Sequence, residues 1–138
     1  MVAGIPMNGW DLISYYWLHF SKLRYLDWAG VVMYGGIPKT PIAVAFALIS
    51  HFFWVGFLGV IFAYLIPTLT PRGYLVKGFT FGFITGFIIY AIGIAFKFPI
   101  ILHRTTGTTI SQFIGSPIWG VTLALMLRWL DTTPKVKS

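Results

Sequence analysis

Cysteine and glutamate are both absent from this chain of 138 residues, and each absence removes a class of chemistry. Without cysteine there are no disulfides, no thiolate metal ligands and no cysteine nucleophile, and the redox compartment stays open. Without glutamate the acidic inventory shrinks to Asp11, Asp27 and Asp131. Three scattered aspartates supply no paired carboxylates for glycoside hydrolysis and no positioned triad for peptide hydrolysis. P-loop, HExxH, GxSxG and zinc-ligand spacings are missing as well. The expectation is a protein that is not an enzyme, with no metal and no cofactor implied. A haem held by His19 and His51 fits poorly, because at about 1.5 Å rise per residue the two imidazoles differ in depth by roughly 10 Å.

Charge of either sign is scarce too. Only 9% of residues are charged, where a soluble domain carries roughly 25%. What fills the chain instead is apolar: 57% of residues are hydrophobic and mean hydropathy is +0.82. Such a chain cannot cover a water-facing surface, so the bilayer is its solvent and residues 1–138 read as one transmembrane domain. Ten Lys and Arg against three Asp leave a net charge of +7. These cations lie in short segments between apolar runs, where lipid head groups are the nearer partner. No basic motif or stacking platform points to nucleic acid.

Prolines divide the chain. Thr40-Pro41 and Thr70-Pro71 repeat one helix-start signal, a threonine cap followed by proline at the first helical position. From Pro41 an apolar run continues to Ile66, where Pro67 stops it. From Pro71 a second run continues to Phe98, where Pro99 stops it. Thr109 with Gln112 three residues on forms a capping-box pattern and opens a third run ending near residue 130. A span needs about 20 mostly apolar residues, and all three qualify.

The N-terminal stretch MVAGIPMNGWDLISYYWLHF admits two readings. In one, residues 2–23 are a fourth span, giving an all-α four-helix membrane bundle with spans at about 2–23, 41–66, 71–98 and 109–130. In the other, Asp11 caps an interfacial helix with Trp10 stapled over Tyr15, leaving three spans. No basic n-region or cleavage site marks a signal peptide. Residues 21–40 then connect, with Tyr25, Trp28 and Tyr34 as interfacial aromatics. In the four-span arrangement the Lys and Arg divide five against five, so the positive-inside rule gives no orientation. The short basic tail, 131–138, inclines the reading to a multi-pass cell-membrane protein with a cytoplasmic C-terminus.

KGFTFGFITGF, residues 77–87, places Gly78, Gly82 and Gly86 on one helix face, and Gly93 extends the strip. In lipid, close backbone approach takes the place of hydrophobic drive between helices, so such a glycine zipper implies tight packing. Similar rows run through Ala47, His51, Val55 and Gly59, through Ser111 and Gly115, and through Ser116, Gly120 and Ala124. Pro117 lies inside the last span and should kink it.

Two groups of polar residues are candidate sites. His51 lies about 15 Å into its span at 1.5 Å per residue, and an ionisable side chain at that depth is a functional candidate. Asp11, His51 and Gln112 together form a candidate polar centre. Lys22, Arg24, His103 and Arg104 gather on one side, beside the HRTTGTT turn, as candidate contacts for a lipid head group or another anion.

AGIPMNGWDL, KGFTFGFITG and SPIWG together make the chain resemble the small polytopic membrane proteins of Gram-positive and other bacteria, of the YqhR and YagU type. The resemblance covers most of the chain but rests on packing motifs, and it implies a helical bundle without implying an activity. Two functions follow as expectations. The first is a structural or accessory subunit packing through its glycine strips in an oligomer or a larger membrane complex. The alternative is a small oligomeric channel or transporter for protons, cations or a small solute.

Overall fold

A computed structural model describes residues 1–65, 73–98 and 103–132. The turn signals at Pro67, Thr70-Pro71 and Pro99, the Asp131 side chain and the basic tail from 133 lie outside the described residues. Among the described residues five α-helices follow in order: α1 Gly4–Leu12, α2 Tyr25–Tyr34, α3 Pro41–Leu65, α4 Tyr74–Ala95 and α5 Thr106–Thr132. A turn of π-helix, Ile13–Trp17, continues α1. No strand occurs among the described residues.

Three of these helices, α3, α4 and α5, are long and apolar enough to cross a membrane. The four-span arrangement is therefore corrected to three. The nine residues of α1 and the five of its π turn rise roughly 21 Å at about 1.5 Å each, short of a hydrocarbon core of about 30 Å. The chain then turns back on itself. The Ser14 carbonyl accepts the N–H groups of Phe20 and Ser21 at 2.9 and 3.2 Å, and His19 takes a positive φ of 49°.

The interfacial alternative keeps its three long apolar helices but loses its cap. Its proposed cap, Asp11, lies eight residues into a segment that becomes helical at Gly4, and its side chain is 1% exposed. The helix instead stands beside the spans. Gly4 lies against Phe52 and Val55, Met1 against Gly56, and the Phe20 carbonyl against Gly107. It thus reaches from the start of α5 to the middle of α3 and goes no further.

Local chemistry sets α2. Asp27 in its first turn accepts the Arg24 backbone N–H at 2.7 Å, and its other oxygen holds the guanidinium at 2.9 Å. Gly35, at φ 71°, ends the helix in the left-handed conformation that glycine takes without penalty. Pro38 then folds back onto Gly30, where any side chain would clash.

The tightest packing joins α4 to α5. Gly78, Gly82, Gly86 and Gly93 are all buried. A methyl group built on Gly78 would strike the Gly120 carbonyl, one on Gly82 the Ser116 carbonyl, and one on Gly86 the Ser116 hydroxyl at 2.7 Å. The glycine strip is filled by this chain's own last helix, while Phe79, Phe83 and Phe87 stand exposed on the faces left to lipid. Pro117 sits inside α5, which continues through it. The helix starts three residues before the Thr109 capping box. Thr105 receives the Thr108 N–H at 3.3 Å instead, leaving Gln112 to other partners.

Candidate functional site

Tyr25 is the residue on which the interior polar groups meet. Its backbone N–H donates to Asp11 Oδ2 at 2.7 Å. Its hydroxyl donates to the Gln112 backbone carbonyl and lies 3.2 Å from Ser116 Oγ, which donates to that same carbonyl at 2.9 Å. Its ring stacks on the His51 imidazole, with centroids 5.7 Å apart and planes 20° from parallel. Gly115 makes room for it, since a methyl group there would lie 2.7 Å from the Tyr25 oxygen.

Gln112 carries the network onward. Its side-chain oxygen accepts from Trp28 Nε1 at 3.0 Å and from the Tyr90 hydroxyl. One residue earlier, Ser111 donates to Ser14 at 2.7 Å while its carbonyl accepts from Trp10 at 3.0 Å. The two small-residue rows of α5 thus serve different neighbours. Ser111 and Gly115 receive α1 and α2, whereas Ser116 and Gly120 receive α4, with the Ser116 hydroxyl also meeting Tyr25 of α2.

The candidate centre Asp11, His51 and Gln112 is gathered around Tyr25 and is buried, at 1%, 6% and 2% exposure. Its members do not bond to one another: Asp11 Oδ1, His51 Nε2 and Gln112 Nε2 all lack a hydrogen-bond partner. Burial pushes the Asp11 carboxyl up to about 7, and Asp27 adds to this, against the opposing pull of the Tyr25 N–H and of Arg24. Burial likewise holds the Tyr25 phenol above its ordinary value, keeping it a donor.

Of the candidate anion contacts, Arg24 and Arg104 have inward partners. Arg24 pairs with Asp27, donates to the Tyr16 hydroxyl at 2.9 Å and lies over the Tyr15 ring. Burial disfavours its charge, and Asp27 more than offsets this. Arg104 donates to Thr109 at 3.0 Å and covers the Tyr90 ring. The Lys22 backbone N–H donates to Thr108 at 2.9 Å. The Lys22 and His103 side chains are exposed.

Beside the polar cluster lies a cavity of about 420 Å³, walled by α2, α3, α4 and α5. Trp28, His51, Trp54, Tyr90, Gln112 and Trp119 line it, and the glycines of α4 open its floor. It lies where α3 is held by α2 and α1 while α4 and α5 hold one another, so that the α3 and α4 backbones stay apart. Sequence reasoning missed Tyr25, Trp28 and Tyr90 here. Tyr25 and Trp28 carry the signature of interfacial aromatics, and nothing in the apolar run around Tyr90 marks its hydroxyl as bonded. No family model, curated protein or solved structure matches the chain.

Proposed function

We propose that this is an accessory membrane protein, a non-catalytic bundle that packs and holds within the bilayer as an oligomer or as part of a larger membrane complex. The observation that carries this reading is the uneven distribution of polarity along the spans. The interior polar cluster lies in the half next to α1 and α2 and reaches Ser116. Beyond it, Phe62, Phe81, Trp119, Leu123 and Ala124 close the core, with Phe62 stacked on Phe81 at 4.7 Å and Phe81 tilted against Trp119 at 5.8 Å. A conducting path needs water or polar groups through the full thickness, and this aromatic packing opposes one.

The alternative, a channel or transporter running through Asp11, His51 and Gln112, must open that packing. Purified protein reconstituted into liposomes with an imposed potential distinguishes the two. The accessory reading expects proton and potassium flux equal to that of empty liposomes. Flux above that background, abolished by His51→Phe in a variant that keeps its fold, overturns it. On this reading the basic tail faces the cytoplasm, as positive segments do.

A further inference from the structure

Three buried polar atoms without hydrogen-bond partners belong to residues that line one cavity: His51 Nε2, Gln112 Nε2 and Trp119 Nε1. All three residues are more than nine-tenths buried. The orientation of the Gln112 amide follows from its neighbours. Trp28 Nε1 can only donate, so the atom it meets is the amide oxygen, and the NH2 group is the one left over. Gln112 therefore offers two unmatched N–H donors and Trp119 one, while the His51 nitrogen either donates or accepts according to its tautomer. In lipid, buried donors in this position call for an acceptor.

We propose that the cavity is a binding site for a neutral, lipid-borne molecule carrying a carbonyl oxygen, either a quinone head group or the acyl ester of a glycerolipid. Size, wall chemistry and access agree on this class. A volume of about 420 Å³ falls within the roughly 300–1,000 Å³ of small-molecule sites. The wall is mostly aromatic and aliphatic, with the hydroxyls of Ser50, Thr85 and Ser116 beside the donors and no Asp, Lys or Arg, so a charged ligand finds no counter-charge and an apolar body with one polar point is accepted. Water alone matches the donors but leaves the apolar walls unfilled. The rim residues Val32, Met33, Trp54 and Ile92 are exposed between α2, α3 and α4, so entry is sideways from the bilayer. This site is separate from the accessory reading, because a conducting protein could hold the same ligand.

Native mass spectrometry of the full chain in mild detergent tests the proposal. The probes are decyl-benzoquinone, dioctanoylglycerol and, as a control without a carbonyl, hexadecane. One carbonyl probe should bind saturably at one per chain, and which probe does so identifies the source. Trp119→Phe removes one donor and keeps an aromatic ring, and should weaken that binding about tenfold. Ala29→Phe, which fills the cavity and leaves every donor in place, should abolish it. The proposal is overturned if neither carbonyl probe saturates, if hexadecane competes equally, or if Ala29→Phe binds like the parent.

Discussion

Asp11 has one oxygen bonded to the Tyr25 N–H and the other without a partner, inside a chain that carries only three acidic residues. Burial raises its folded-state pKa from 3.8 to about 7, so the folded state holds the proton more tightly than the unfolded chain does. The resulting stabilisation is complete below about pH 4 and is lost as pH rises through about 7. Thermal stability in detergent should accordingly fall between about pH 4 and 7 and level off above, and Asp11→Asn should flatten that dependence. A variant that keeps the parent's slope would remove Asp11 as its source. Tyr25 is the second residue to test. Tyr25→Phe leaves Gln112 and Ser116 without the phenol and should destabilise by about 1–3 kcal/mol, while Tyr64→Phe, at 79% exposure, should stay within about 0.5 kcal/mol. Equal melting of the two variants would contradict the hub. At this scale the sequence is only partly legible. The depth of His51 can be counted from Pro41, but Tyr25 and Trp28 look like interface anchors because a tyrosine or tryptophan near a span end has the same signature whether it faces lipid or protein.

Among the elements, the long helices are legible because length and apolarity suffice to define them, and the described bounds of α3 begin at the proline that marks them. Helix starts are less so. Thr105 and Thr109 are both plausible caps, and the choice falls to Thr105 because Gln112, the far end of the capping box, is drawn to Trp28 and Tyr90 instead. The first helix is the hardest to read. Its composition is that of a span, and only the backbone reversal at Ser14 to Ser21, a local bonding choice, stops it at Trp17. The α4 and α5 pairing carries the sharpest test at this scale. Gly82→Leu drives a side chain into the Ser116 carbonyl and should cost about 3 kcal/mol or more, as a strong overpacking of backbone does. Phe83→Leu, at a position 42% exposed, should melt within about 1 kcal/mol of the parent. Similar size-exclusion profiles and melting temperatures for both would show that the strip does not hold the helices together.

For the whole molecule, the decisive property is the contrast between a polar half and an aromatic half. That contrast is hidden in the sequence, since Asp11, Tyr25, Tyr90 and Gln112 come from four separate stretches and meet only when α1 and α2 fold in beside the spans. It also converts the three-span topology into an account of what the bundle does not do. The native chain has no cysteine, so single cysteines can be introduced without removing any. Cysteine at Lys22 should react with a small water-soluble thiol reagent from one face of the membrane, and cysteine at Gly73 from the other. Cysteine at Gly59, which lies 3.3 Å from Leu123 across the closed half, should be inert from both. Prompt labelling of the Gly59 position, with the two end positions labelled as expected, would reveal water through the middle of the bundle and contradict the non-conducting account.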